Sequence, residues 1–551
     1  MISKDEYLKS KEMELDGICS SRKLKNFLNQ SYSKKNGAEF DETFSEEYLW
    51  RYALYMSSRS CYLLENDKKN ETAIESLKMA AEIYENLYDI SEEYDNAYSL
   101  LLSSLCYDLS GYQANAKCLI DKLENELGYY SLKNDDYINN LENLFLKTIQ
   151  LFLQKKIYLL NDELVQLESM DLSMFNSSYE NFLNEYVALL KNLIEFIFEG
   201  DESLIENIKY NSQNAYKSIL YGGNVLMSHL MHLFNVRLEI FFEKNIWTNL
   251  GKYIDTYHPL WNKFIKLKTK DLYSKVGIKS KKDRHSIMEF WNSQLNALNA
   301  NIIGENQDNE NFIIKMPTSA GKTFISEILL LNSFIRNENS KAVYITPYLS
   351  LTNEINESLS SLEKLGFTLS KMTKSYEIDE YENLWVEEAD VLIATPEKID
   401  LLYRNEKEFF NNVSIIIIDE GHIIGDNGKR SVLVELLISI LIMNLKNTRF
   451  IFVSAMMTEN DTKSLSQWIT YKEHNVLESP MINGKVWEPT RRLIGYLNYK
   501  DGKGTIRYTE REMFIPNVIK QNNYSCTNPK SGRENTRKFP RNDNKSDKSV
   551  E

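Results

Sequence analysis

A loop of small residues followed by lysine and threonine interrupts an apolar run past the middle of the chain. Phe312 to Ile314 predict a short buried strand, and helical spacing resumes at Phe324. A strand, a small-residue loop and a helix form the setting in which backbone N–H groups bind phosphate. Lys322 would reach the β- and γ-phosphates of a nucleotide. The candidate ligand-binding positions are Thr318, Ser319, Ala320, Gly321, Lys322 and Thr323.

The loop departs from the usual phosphate-binding pattern at one place. Met316 or Pro317 stands where the pattern G-x-x-x-x-G-K-[ST] begins with glycine. The Thr323 hydroxyl remains available as a ligand for Mg²⁺.

A second apolar strand ends in two carboxylates. Ile415 to Ile418 predict a buried strand, and Asp419 and Glu420 follow it directly. Such a pair taken alone is more often a solvated strand end. Beside a phosphate-binding loop it indicates an ATPase site, in which Asp419 would hold Mg²⁺ and Glu420 would orient and deprotonate the attacking water.

Five segments in order carry a family resemblance: PTSAGKT, YITPYLSLTNE (344–354), ATPEK (394–398), DEGH (419–422) and SAM (454–456). They resemble the superfamily 2 helicases, DEAD/DEAH type, and most of all the DExH-box branch that includes RNA-exosome-associated and DNA-repair helicases. The resemblance spans roughly residues 285–500. It implies ATP and Mg²⁺ as cofactors, an adenine-reading Gln294, and catalysis by Lys322, Asp419, Glu420 and His422.

The same resemblance implies a track for single-stranded DNA or RNA. Its expected contacts are Pro347, Thr395, Pro396 and Lys398, which would position the strand through phosphates without reading bases. Ser454 and Ala455 would couple the ATP site to the strand. Leu349 stands where the family usually has arginine, and Met456 replaces a threonine, so one phosphate contact and one hydroxyl are lost.

The predicted elements divide the chain into unlike parts. Residues 1–262 contain no proline before Pro259 and show apolar positions at helical spacing, which predicts an all-helical region, an irregular solenoid or bundle. Strands alternate with helices from 285 to 480, which predicts one parallel-sheet domain that the resemblance identifies as RecA-like. Residues 481–523 are expected to form a cross-over segment, and the polar, basic residues 524–551 a disordered tail.

Two features outside the predicted ATPase domain have open interpretations. Residues 263–284 are rich in lysine and fit either a solvated basic linker or a phosphate-contacting segment. His229 and His232 lie on one face of a predicted helix, where ordinary amphipathic positions are favoured over a metal site because no third ligand is evident. The helical region is expected to dock a protein partner.

Composition limits the class of protein. The 551 residues carry a net charge of −14, so a nucleic-acid surface must be a local patch. The five cysteines form no C-x-x-C pair, which disfavours a zinc site or a disulfide framework. We expect no signal peptide and no membrane span, because the start lacks an apolar segment and the stretch 431–445 is short and contains Glu435. These features predict a cytoplasmic protein.

The sequence therefore predicts the first motor domain of an ATP-dependent nucleic-acid helicase. No second set of strand–helix units is recognised after residue 480, so we expect a second RecA-like domain to come from another chain or from a missing C-terminal part. The alternatives are an ATP-dependent nucleic-acid-binding switch and a scaffold whose ATPase half is a remnant. Roles in anti-phage defence and in repair rest on analogy alone.

Overall fold

The computed structural model describes most of the chain. The described residues are 4–35, 45–90, 96–130, 137–253, 258–270, 286–300, 302–303, 311–317, 320–372, 386–424, 429–455, 459–470, 476–478, 481–482, 485–486, 495–500, 503–508, 514–520, 522–527 and 534–539.

The first half of the chain is helical, as predicted. Its helices are α1 (Lys4–Cys19), α2 (Arg22–Lys35), α3 (Glu46–Asn66), α4 (Glu71–Ile90), α5 (Asn96–Leu109), α6 (Gln113–Tyr130), α7 (Tyr137–Leu153), α8 (Ile157–Glu168), α9 (Ser177–Glu199), α10 (Leu204–Tyr221), α11 (Val225–Lys244), α12 (Ile246–Tyr253) and α13 (Pro259–Thr269). Side-chain caps start several of them: Asn176 accepts from Ser178 and Tyr179 N–H, and Asn224 from Met227 N–H.

In the helical region, most of the packing is between helices that follow one another in the sequence. Helices α3 to α6 pack in succession, and so do α9, α10 and α11. Helix α11 also returns to contact α3 and α5, so it lies at the centre of one apolar core. Among the described helices α11 alone is long and apolar enough to cross a membrane, but 67% of its most apolar window is buried, as in a core helix.

The two histidines of α11 have separate partners. His229 Nε2 lies 2.9 Å from the Ser57 hydroxyl, and His232 Nε2 lies 2.9 Å from Glu65 Oε1. Within the described ranges, no group of three or more His, Cys, Asp or Glu side chains could hold a metal ion.

The second half is an α/β domain with a parallel sheet. Its elements are α14 (Asn292–Asn299), β1 (Phe312–Lys315), α15 (Lys322–Arg336), β2 (Lys341–Ile345), α16 (Leu349–Ser358), α17 (Ser360–Leu365), β3 (Leu369–Lys371), β4 (Val391–Ala394), α18 (Pro396–Asn405), β5 (Val413–Asp419), α19 (Lys429–Asn444), β6 (Arg449–Ser454), α20 (Glu459–Thr470) and β7 (Val476–Glu478). The strand order is β3-β4-β2-β5-β6-β1-β7, with every pair parallel.

Helices cover both faces of this sheet, as the apolar strands require. Alternate residues of each strand belong to different cores: Ile314 and Ile417 face α13, α14 and α15, whereas Ile313 and Ile416 face α18, α19 and α20. The carboxyl ends of β1, β2, β4, β5 and β6 therefore meet at one edge, where every sequence motif lies.

The lysine-rich segment is not a solvated linker over its first part. Helix α13 packs Trp261 and Phe264 into the core of the α/β domain, and Phe264 stacks on Phe324 of α15. Lys268 is buried and donates to Glu327 Oε2 at 2.6 Å. The many lysines made the apolar face of this helix hard to recognise from the sequence. A lysine can lie on such a buried face, because its aliphatic stem is apolar and its ammonium group can pair with a carboxylate. Residues 271–285 lie outside the described residues.

A buried ionic cluster joins the helical region to the α/β domain. Arg237 of α11 donates to both oxygens of Glu289 at 2.5 and 2.7 Å, and also pairs with Asp108 of α5. Lys155 Nζ lies 3.1 Å from Glu289 Oε1. Backbone bonds hold the same segment, including Phe290 N–H to the carbonyl of Lys244 at 2.8 Å. The chain segment directly before α14 is thus anchored on the helical region.

Short antiparallel strands follow the α/β domain. They are β8 (Met481–Ile482), β9 (Lys485–Val486), β10 (Gly495–Lys500), β11 (Lys503–Tyr508), β12 (Phe514–Lys520), β13 (Asn522–Thr527) and β14 (Glu534–Phe539). Strand β14 and all but the first two residues of β13 lie in the segment 524–551, which has the composition of a disordered tail. They pair with each other as a local hairpin, which a polar composition does not signal. Residues 528–533 and 540–551 lie outside the described residues.

Candidate functional site

The loop after β1 begins beside the end of β6. The N–H of Met316 donates to the carbonyl of Ser454 at 3.1 Å, which ties the two strand ends together. Gly321 adopts the left-handed conformation, with φ 77° and ψ 37°, directly before α15. Residues Thr318 and Ser319, predicted to bind phosphate, lie outside the described residues, whereas Ala320 is buried.

Gln294 lies against this glycine. Its Nε2 donates to the Gly321 carbonyl at 3.2 Å, and its Oε1 accepts from Trp291 N–H at 2.8 Å. A Cβ at position 321 would collide with the Gln294 amide, so the glycine is needed for its positive φ and for this close approach. The structure therefore places the predicted adenine-reading residue next to the loop that is predicted to bind phosphate.

Lys322 and Glu420 form the centre of the site. Lys322, the first residue of α15, lies with Nζ 3.0 Å from Glu420 Oε1. Glu420 has a left-handed backbone, φ 49° and ψ 48°, which is uncommon for a residue with a side chain and typical of strained functional turns. This turn points the carboxylate at the end of β5 toward the lysine.

His422 connects this pair to β6. Its Nδ1 lies 3.2 Å from Glu420 Oε2 and 3.1 Å from the Ser454 hydroxyl. Ser454 is fully buried at the end of β6 and Ala455 follows it, while Met456 lies outside the described residues. The geometry brings the predicted catalytic and coupling residues into one chain of contacts.

Asp419 is the most buried carboxylate of the site. Burial raises its pKa above the usual range, and nearby Lys322 partly offsets that shift. Its Oδ1 accepts from Glu420 N–H at 2.9 Å. A partly buried carboxylate is an oxygen donor that suits Mg²⁺, and the hydroxyl of Thr323 on α15 would be a second such donor.

Tyr344 is a site residue that the sequence interpretation missed. It lies on β2, is 1% exposed, and its hydroxyl lies close enough to Asp419 to be affected by the charge of that carboxylate. Burial, followed by the charge of Asp419, raises the pKa of Tyr344 well above its usual value, so it remains a neutral donor. A tyrosine in an apolar strand gives no sequence signal beyond core packing.

The residues predicted to contact a nucleic-acid strand lie at the carboxyl edge of the sheet, and their side chains are buried. Pro347, Thr395, Pro396 and Lys398 are all buried, with Lys398 6% exposed. Direct phosphate contact by the Lys398 side chain is therefore not supported. Thr395 is the residue before α18. A cleft beside it is lined by residues that follow three strands, among them Pro347, Pro396, Asp419 and Glu420, and by Arg430 of α19.

Comparison with known families agrees with this geometry. Residues 293–465 match the family described as DEAD/DEAH box helicase. These residues form a DEAD/DEAH box helicase domain. The domain begins one residue before Gln294 and includes the whole parallel sheet except β7.

Relatives of the helicase domain extend the comparison. The chain is 28% identical over 440 residues to Hachiman protein HamB of Bacillus cereus, covering 78% of this chain and 36% of that protein. It is 29% identical over 260 residues to ATP-dependent DNA helicase Hel308 of Pyrococcus horikoshii, covering 46% and 33%. The chain thus spans about a third of the length of these curated relatives.

Solved structures also match in part. The UvsW helicase of bacteriophage T4 is 21% identical, with a TM-score of 0.25, over 34% of this chain and 58% of that one.

Proposed function

We propose that this chain is the ATP-hydrolysing part of a DNA helicase motor, binding Mg·ATP and single-stranded DNA. The observation that carries the proposal is the ion pair of Lys322 and Glu420, 3.0 Å apart at the strand edge where Asp419 and His422 also lie. A partly exposed lysine paired with a carboxylate can exchange that partner for a phosphate. Similarity to proteins named ATP-dependent DNA helicase favours DNA over RNA.

Each side chain then has a role that follows from its position. Lys322 binds the β- and γ-phosphates, which frees Glu420 to take the proton of the attacking water. Thr323 and Asp419 hold Mg²⁺, which neutralises charge on the phosphates. His422 bridges Glu420 and Ser454, so a change of the Glu420 partner is transmitted to β6.

The proposal includes a second motor domain. In this class of hydrolysis an arginine from another domain or chain raises the rate by about 10³- to 10⁵-fold. We propose that a second RecA-like domain supplies that arginine here, which agrees with relatives about three times as long as their matched part.

The sequence match with the Hachiman protein extends into the helical region. The 440-residue match is longer than everything after residue 284, so it includes part of the helical region. The Hel308 match of 260 residues is shorter. We propose that the helical region and the motor act together in this chain.

The test is ATP turnover of the purified chain with and without single-stranded DNA. We expect DNA to stimulate turnover, and Lys322→Ala and Glu420→Gln to remove the stimulated rate, by about 10²- to 10³-fold if each acts like one preorganised charge contact. Glu420→Gln should still bind ATP, because the amide keeps the side-chain shape. Turnover equal in the wild type and Lys322→Ala would overturn the proposal for this chain on its own.

A second candidate is an ATP-dependent switch that grips DNA without unwinding. The buried pair of Arg237 and Glu289 favours it, because it anchors the segment leading to Gln294 on the helical region. Nucleotide-dependent DNA affinity without turnover would support this candidate. An absence of ATP affinity would instead indicate a scaffold with a remnant ATPase domain.

A further inference from the structure

The residues exposed at the strand edge differ from those that the motifs select. Tyr348 is 55% exposed and Leu349 50% exposed, while Pro347 directly before them is buried. Leu349 occupies the position of the family's usual arginine, so this segment presents an aromatic ring and an aliphatic chain in place of a charge. Both side chains lie at the edge where the strand is proposed to bind, so each is accessible to a ligand there.

Arg430, which directly follows the start of α19, reaches this segment from another element. Its guanidinium carbon lies 5.1 Å from the centre of the Tyr348 ring, within cation–π distance. Its Nη2 donates to the carbonyl of Pro347. The same side chain pairs with Glu397 of α18 through Nε at 2.6 Å and through Nη2 at 3.2 Å. Arg430 therefore links the segment after β2 to the segment after β4.

The backbone of Tyr348 is fixed by its place at the start of a helix. It is extended, with φ −137° and ψ 148°, at the residue before α16. Its carbonyl accepts from Leu351 N–H at 3.0 Å and so starts the helix. A ring fixed by a helix start and by a guanidinium loses little conformational freedom when a flat ligand covers it.

We propose that Tyr348 is a stacking platform for a base of single-stranded DNA, and that Arg430 is the residue that positions it. The proposal rests on the proposed DNA-binding function and specifies how the strand is held. Arg430 lies over the ring, and the exposed part of the ring is available to a base. Stacking of this kind is worth about 1–3 kcal/mol per base and does not depend on sequence.

The charge of Arg430 argues against a simple phosphate contact. Two of its donors are used by the Glu397 carboxylate, so the pair is close to neutral. Burial raises the pKa of Glu397, but the Arg430 hydrogen bond and other contacts outweigh it and hold that pKa below its usual value. Stacking on Tyr348 would therefore supply affinity that the paired charge of Arg430 does not.

The first experiment uses single-stranded oligodeoxythymidylate carrying one 2-aminopurine, with the full chain. Binding to the wild type should quench the probe, because an aromatic ring stacks on the fluorescent base. Tyr348→Ala should weaken binding about tenfold and remove the quenching, with the salt dependence of affinity unchanged. Tyr348→Phe should keep both. The matched control is Tyr210→Ala, an exposed tyrosine on α10 that is 65% exposed and far from the motifs in sequence.

The second experiment tests Arg430. The double variant Arg430→Gln/Glu397→Gln keeps the net charge and should reduce quenching, with an unchanged salt slope. A salt slope smaller by about one would make Arg430 a phosphate contact and overturn its positioning role.

Two results separate the platform from the function on which it rests. Unchanged affinity and quenching in Tyr348→Ala, with a wild type that binds DNA, would overturn the platform and leave the proposed function standing. A wild type without DNA affinity would overturn both. Thermal melting of Tyr348→Ala near that of the wild type would show that the fold is intact, as expected for an exposed side chain.

Discussion

Two lysine–glutamate pairs, each with one member on α15, have different surroundings. Lys322 and Glu420 meet at the start of α15 at 3.0 Å, with side chains 15% and 27% exposed. Lys268 and Glu327 meet in the second turn of the helix at 2.6 Å, with side chains 1% and 2% exposed. The residue types and the distances are alike. The access of water is not.

This difference separates a site, where a charged group can change its partner, from a joint, which is a fixed contact between helices. A partly exposed pair can exchange its partners, because water or a phosphate can replace the carboxylate at little cost. A fully buried pair cannot, since each charge left alone in an apolar surrounding is strongly unfavourable. Lys268 also donates to the Ser361 hydroxyl at 2.8 Å, so it fixes α13 against α15 and α17.

The largest effect is expected from breaking the buried pair. Lys268→Ala should lower the free energy of unfolding by about 3–5 kcal/mol, because Glu327 is left buried without its cation. Lys322→Ala, which breaks the partly exposed pair, is the matched control and should cost less than about 1 kcal/mol. Urea denaturation followed by circular dichroism measures both. Equal losses in the two variants would contradict the distinction between joint and site.

The double variant Lys268→Met/Glu327→Leu sharpens the same point. It replaces both charges by apolar groups and should recover most of the stability that Lys268→Ala loses. No recovery would mean that α13 is held by its geometry and not by the balance of charge.

Acid should act on the helical region through His229. Burial, with the charge of His232 as a smaller cause, lowers the pKa of His229 to about 3. Below about pH 6.5 His229 is therefore protonated in the unfolded chain but stays neutral in the folded chain. The free energy of unfolding then falls by up to about 1.4 kcal/mol per pH unit as the pH is lowered toward 3. His229→Gln, which can keep a hydrogen bond to Ser57, should flatten this part of the pH profile. Parallel profiles for the two proteins would exclude His229 as the cause.

The smallest effect concerns Asp419, and its sign is opposite. Its raised pKa means that the folded state binds the proton more tightly, so this contribution to stability is present at low pH and is lost as pH rises through the folded pKa. Asp419→Asn should therefore raise the melting temperature slightly at pH 7 without metal, by less than about 1 kcal/mol in stability. Adding Mg²⁺ and ATP should stabilise the wild type and not the variant. A lower melting temperature for Asp419→Asn would contradict this assignment.

The sequence predicted the local parts of the site because chemistry there depends on short stretches. The apolar run before the loop and the acids after Ile418 appear in the structure as β1 and β5, within two residues of the predicted ends. Gln294 was placed by resemblance, and its contact with Gly321 agrees with that placement. The roles of these side chains stay predictions until turnover is measured.

The sequence was misleading where residue type and surroundings disagree. Lysine-rich α13 suggested a linker, but its buried Trp261 and Phe264 join the α/β core. Lys398 suggested a phosphate contact, but it is buried, whereas Arg430 from a distant helix lies at the surface of that edge. Tyr344 looked like ordinary core although its hydroxyl lies close to Asp419.

The sequence by itself determined the strand, loop and helix around Lys322, the acid pair after β5 and the helical first half, because these follow from local periodicity and residue chemistry. Tertiary structure alone decided which lysine is buried in a joint, which one remains open in a site, and that Arg430 lies against Tyr348. The physical reason is that burial and partners belong to surfaces brought together by packing. The role of a charged side chain depends on its surroundings, because burial sets the free-energy cost of leaving the charge unpaired.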